Sequence, residues 1–133
     1  MATGTAGGVG RRYHTKQVHY LTANITVSDE DDSISMGWLP AGAIVTACRV
    51  AVFTAFNNSG NDYIKVGHSN DDDEFAASVD VSSVGVKLPT TLATATEVKF
   101  SVDTEIFAMY EGSSTAAASP AGSATVVLEF VVP

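Results

Sequence analysis

The sequence predicts an all-β protein: a jelly-roll-like antiparallel β-sandwich with a flexible Gly-rich N-terminal arm and at most one short helix. Three observations carry that reading. Seven or eight short runs rich in β-branched and aromatic residues recur about every ten residues. Turn-forming Pro, Gly, Asn and Asp clusters separate them. The chain also closes on a strong alternating run, "SATVVLEFVV", as the last strand of a sandwich would.

Taken in order, residues 1–12 form the arm. Gly4, Gly7, Gly8 and Gly10 stand among Ala and Thr, so nothing there anchors a core. Residues 13–133 form the single sandwich domain. In "KQVHYLTANITV", His19, Leu21, Ala23, Ile25 and Val27 share the face expected to be buried, and the acidic run "SDEDDS" follows as an exposed loop. "ISMGWLPAGA" places Ile34, Met36 and Trp38 on one side, with Trp38 expected to cap the core, and "PAG" reads as a tight turn. The run 43–56 puts Ile44, Cys48, Val50, Val52 and Phe56 on one face. Val45, Ala47, Arg49, Ala51 and Phe53 lie on the other, and two largely apolar faces imply a central strand or a second covered surface.

"DYIKVG" is a short strand with Ile64 and Val66 inward. Ser69 or Asn70 ahead of an acidic turn resembles a helix start, so one or two helical turns are expected through about Ala77. "SVDVSSVGVKLP" is anchored by Val79, Val81 and Val84. "EVKFSV" and "TEIFAMY" read as two strands or one bent strand, and "EGSSTAAASPAG" as a long loop. In the closing run Ala124, Val126, Leu128, Phe130 and Val132 alternate with residues on a wetter face marked by Glu129.

Composition narrows the function classes. The net charge is −8, yet residues 1–20 carry Arg11, Arg12 and Lys16 and no acid, leaving −11 on the remainder. An acidic body repels phosphate backbones, so no nucleic-acid partner is expected. No apolar run is long enough to span a bilayer and "MATGTAGGVGRRYH" has no hydrophobic signal core, so neither a membrane partner nor secretion is expected. Cys48 is the single cysteine, which excludes an intrachain disulfide, and its apolar strand makes it a buried, inert thiol.

The residues offer little catalytic chemistry. His14, His19 and His68 fall on the arm, a strand and a loop, and no nucleophile motif accompanies them. The run 70–74, with Asp71, Asp72, Asp73 and Glu74, is the best cation candidate, with Asn57 and Asp62 as residues that would complete its oxygen set. Its acids are consecutive, without the alternation and glycine of an EF-hand, so a solvated helix start is the expectation and no metal or cofactor is predicted. Trp38, Tyr63 and Tyr110 are the rings from which a carbohydrate platform would be built, and Asp72 and Asp73 the carboxylates a glycan-cleaving site would use.

At "WLPAGAIVTACRVAVFTAFNNSGNDYIKVG", through "HSNDDDEFAASVDVSSVG", and again at "SPAGSATVVLEFVVP", the chain resembles small structural proteins of tailed bacteriophages. The resemblance covers residues 38–85 and the last fifteen, and its motifs are scaffold features. Among such proteins it is most similar to head decoration, or cement, proteins. That resemblance implies a non-enzymatic virion protein, made in the bacterial cytoplasm and sited on the outer surface of the capsid. The implied partners are the major capsid protein and copies of itself, a homotrimer ahead of a dimer. Arg11 and Arg12 on the arm and the adjoining Tyr13 are the partner-binding residues expected. The alternative is a tail, baseplate or glycan-binding receptor module on the same sandwich.

Overall fold

In the computed structural model, residues 17–58, 61–95, 97–112 and 117–133 are described. Residues 1–16, including Arg11, Arg12 and Tyr13, lie outside them. Among the described residues eight strands run in chain order: β1 (Val18–Thr26), β2 (Ser33–Leu39), β3 (Ile44–Thr54), β4 (Tyr63–His68), β5 (Asp71–Asp80), β6 (Gly85–Lys87), β7 (Thr104–Glu111) and β8 (Ser123–Val131). Two 3₁₀ turns, Val27–Asp29 and Thr91–Thr94, are the helical pieces among the described residues.

The strands form two antiparallel four-stranded sheets, ordered β1-β8-β3-β6 and β2-β7-β4-β5. The pairings β1 with β8, β2 with β7, β3 with β6 and β4 with β5 describe one long hairpin of paired strands. The added pairings β3 with β8 and β4 with β7 roll that hairpin into two stacked layers. This is the jelly-roll arrangement expected.

Alternation explains most of the packing. Along β8 the even residues Ala124, Val126, Leu128 and Phe130 are buried while the odd ones are half-exposed. They meet Ala23 and Ile25 of β1 and Val50 and Val52 of β3, and face Ile64, Val66, Ile106, Ala108 and Tyr110 from the second sheet across the core. Phe56 packs on Tyr110 with ring centroids 4.5 Å apart.

Where the structure departs from simple alternation, a bulge is the cause. On β3 the ladder shifts between Val45 and Ala47, so Val45 and Cys48 are both buried and Ile44 lies half-exposed. This corrects the expected partition of the 43–56 run. On β2 the shift falls between Ser35 and Gly37, where Gly37 takes φ +118°, a region open to glycine. The extra residue turns Leu39 inward and leaves Trp38 59% exposed, so Trp38 does not cap the core.

The largest departure is the acidic run. Asp71 to Asp80 is strand β5, not a helical turn. A two-residue turn, Ser69 and Asn70, joins β4 to β5, and His68 pairs with Asp71. The next pair is Val66 with Ala76, so β5 carries three extra residues in a wide bulge. Asp71 and Asp72 backbone atoms lie so near Gly67 that an added Cβ would sit 2.2 Å from the Asp71 carbonyl oxygen. Glycine permits that approach, and hairpin closure outweighs the helix-start chemistry of the side chains. Two smaller expectations also fail. Val84 is exposed rather than an anchor, and "EVKFSV" contributes a single bridge, Lys99 to Ile44, with Phe100 buried.

The register supplies a test. Leu128→Ala removes a fully buried side chain between two strands and is expected to cost about 2–5 kcal/mol in urea unfolding. Val127→Ala, on the opposite face, is expected to cost no more than about 1 kcal/mol. Equal losses would contradict the inward assignment of the even residues.

Candidate functional site

Two features stand out on the described surface. The first is the outer face of the β1-β8-β3-β6 sheet. Its rows follow from the register: Val18, Val131 and Ile44; Tyr20, Glu129 and Ala47; Thr22, Val127 and Arg49; Asn24, Thr125, Ala51 and Val86. Phe53 stands at the end of β3 on the same side, 63% exposed, and Val18, Tyr20 and Val86 are each more than half exposed. Arg49 and Glu129 are the charged residues of these rows. Glu129 is occupied by Thr46, whose hydroxyl donates to its Oε2 at 2.8 Å. A protein with −8 net charge thus presents a broad sheet face with almost no charge on it. Large apolar side chains grouped on one face differ from the scattered single exposures of an ordinary surface.

The second feature is a cleft of about 340 Å³ at the other sheet's end, lined by Trp38, His68, Glu97, Phe100, Asp103 and Glu105, among others. His68 is the last residue of β4 and points inward, 3% exposed, rather than lying in a loop. Its ring stands edge-on to Phe100 at 5.2 Å and tilted to Phe75 at 6.2 Å, which fixes its plane. Nε2 lies 3.9 Å from Glu74 Oε1 and 3.9 Å from Glu97 Oε2. Glu74 is buried by the β5 bulge, while Glu97 is half exposed on the chain leading to β7. Two other acids of the cleft are engaged: Asp103 accepts the Ala41 backbone N–H at 2.8 Å, and Glu105 the Ser35 hydroxyl at 2.7 Å.

The other residues singled out by sequence disperse. Tyr110 is fully buried, its hydroxyl donating to the Asp62 carboxylate, and burial followed by that carboxylate raises its pKa. Trp38 and Tyr63 face solvent on the second sheet opposite Glu105 and Glu111 of β7, about 20 Å apart at strand rise, so the three rings form no platform. Asp62 is committed to Tyr110, and Asn57 to Ser119 and Ala121, so neither completes an oxygen set with the acidic run. Asp71, Asp72 and Asp73 do cluster, mainly exposed, and the hydrogen bond from Asp73 to Asp71 keeps the Asp73 proton on to higher pH. Lys65 ties this bulge to β7, with Nζ 2.9 Å from Asp72 and 2.5 Å from Glu111. Burial pushes the Cys48 thiol up to about 12, with Arg49 pulling slightly the other way, as expected of an inert thiol.

The fold has counterparts among solved structures. Two phage capsid chains share it. A chain of the cyanophage Pam1 capsid asymmetric unit superposes with a TM-score of 0.62 at 17% identity, covering 88% of this chain and 86% of its own. A chain from the acid-stable capsid of Helicobacter pylori bacteriophage KHP30 gives 0.61 at 14% identity, covering 87% and 89%. Coverage near nine-tenths on both sides means that the matched chains have about the same length as this one. No family model matches the sequence, and no curated protein matches it.

Lys65 supplies the pH test. Its hydrogen bonds to Glu111 and then Asp72 raise its pKa above the unfolded value. The raised value means that its stabilisation is complete below the unfolded lysine pKa and fades as pH rises through the folded one. Lys65→Met is therefore expected to be less stable than the parent by a constant margin between pH 6 and 9. That margin should narrow above about pH 10.4 in denaturant titrations. A margin that widens with pH would refute the linkage.

Proposed function

We propose that this protein is a structural component of a tailed-phage virion, a decoration or cement protein that binds the outside of the assembled head. The observation that carries this reading is the conjunction of a capsid-type jelly roll of matched length with a nearly charge-free, apolar outer sheet face. A soluble chain gains nothing from solvating Tyr20, Phe53, Val18 and Val86 together, whereas a subunit that is always assembled buries them. In this reading the face packs against copies of the same chain, with a homotrimer the preferred assembly. The arm, carrying Arg11 and Arg12, engages the major capsid protein together with the adjoining Tyr13.

The mechanism is linkage. A protein that binds only the assembled shell stabilises that state by mass action and leaves the free capsid subunit unaffected. Several contacts per oligomer raise the effective concentration of each further contact, so individually weak patches suffice. No step requires a catalytic group. A second reading, a glycan-binding tail or receptor module, draws support from the exposed indole of Trp38 beside the cleft.

Two experiments separate these. Purified protein mixed with expanded, undecorated heads is expected to appear as outer-surface density by cryo-electron microscopy, and residues 13–133 alone should show sharply reduced occupancy. Density only on tails, or saturable binding on a glycan array without head binding, would favour the second reading. In solution, Phe53→Ser combined with Val86→Ser is expected to shift the mass measured by light scattering from oligomer to monomer with an unchanged circular dichroism spectrum. A monomeric parent protein would remove the sheet face from the mechanism.

A further inference from the structure

We propose that His68, Glu74 and Glu97 form a binding site for a divalent first-row transition ion, Zn²⁺ being the reference ion, at the inner end of the Trp38 cleft. The inference is independent of the docking function above. Its starting point is an orphan: His68 Nε2 is buried and has no hydrogen-bond partner among the described residues. Leaving a buried ring nitrogen unsatisfied costs stability, and native structures rarely tolerate it without a reason. Both carboxylates approach this nitrogen at 3.9 Å, too far for a hydrogen bond and well placed for a shared ion.

The dimensions fit. The three donor atoms all lie within 4.8 Å of one another. An ion about 2.0–2.2 Å from each donor sets donor separations of roughly 3–4 Å, so closing the set takes side-chain shifts of up to about 1 Å. One imidazole nitrogen with two carboxylate oxygens is a borderline donor set, suited to Zn²⁺ and its neighbours more than to Ca²⁺ or Mg²⁺, which take oxygen. Charge also balances, since two carboxylates and a neutral imidazole offer −2 to a dication. The ring is held in place by Phe75 and Phe100, so one ligand is already oriented before binding. Glu97 is half exposed and the cleft is open to solvent, which supplies an entry path and water for the remaining coordination positions.

Such an ion would act as a clip. Glu74 belongs to the β5 bulge and His68 to β4, both in the second sheet. Glu97 belongs to the connection that hydrogen-bonds to the first sheet and its entry turn, through Val98 to Val45 and Phe100 to Gly42. Coordination would fasten the irregular 97–103 segment to the β4–β5 hairpin and so join the ends of the two layers.

The test uses the full chain after dialysis against EDTA. Calorimetric titration with ZnCl₂ is expected to show one saturable site per chain and a Tm that rises with free Zn²⁺, as mass action requires. Co²⁺ at the site should give visible d–d absorption bands. Glu97→Gln, at a half-exposed position where folding is not at risk, should weaken Zn²⁺ binding at least tenfold while leaving the apo Tm near the parent value. His68→Gln should abolish the Co²⁺ spectrum. Absence of saturable binding, or binding that survives both substitutions and therefore resides at the exposed aspartates or elsewhere, overturns the proposal.

Discussion

The ladder that places β8 between β1 and β3 is the constraint on which the rest of the structure depends. β8 pairs with β1 from Val18 opposite Val131 to Thr26 opposite Ser123, and with β3 along nearly its whole length. The two ends of the described chain therefore meet in one sheet, and every other pairing follows from rolling the hairpin that this meeting defines. Contacts so distant in sequence impose a large loop-closure entropy before they return any stabilisation. They hold because β8 is buried at every second residue and hydrogen-bonded on both sides.

Rolling the hairpin leaves four sheet edges, β1 and β6 in one sheet and β2 and β5 in the other. Three of them are poor templates for further pairing. β6 has three residues, β2 is bulged at Gly37, and β5 is interrupted by its acidic bulge. β1 is nine residues long and regular, and it borders the apolar outer face. The apolar face and the least protected edge thus belong to the same sheet, on one side of the molecule.

The opposite side holds the polar chemistry. There the β5 bulge does two things at once: it lifts Asp72 outward, where Lys65 pairs with it, and it buries Glu74 beside His68. An unpaired nitrogen facing two carboxylates inside an otherwise apolar core end is a local conflict, and such conflicts concentrate where a protein binds something. Tyr110 and Asp62 form the contrasting case, a buried polar pair whose hydrogen bond is internally satisfied.

What could be read from the sequence was whatever depends on period and turn chemistry: the all-β class, the strands "DYIKVG", "TEIFAMY" and "SATVVLEFVV", the "PAG" turn and the buried Cys48. Residue order alone did not reveal the bulges, because one extra residue in a ladder is decided by the partner strand and not by the residue that is extra. For that reason Trp38, expected inside, lies outside, and the acidic run through Ala77, expected to make one or two helical turns, is part of strand β5. His68, Glu74 and Glu97 are spaced too irregularly to announce a ligand set, and only the hairpin turn, the β5 bulge and the return of the 97–103 segment bring them together. Side-chain periodicity is a local property that the sequence determines directly; register, edge and site are properties of pairs of strands, and only tertiary structure decides them.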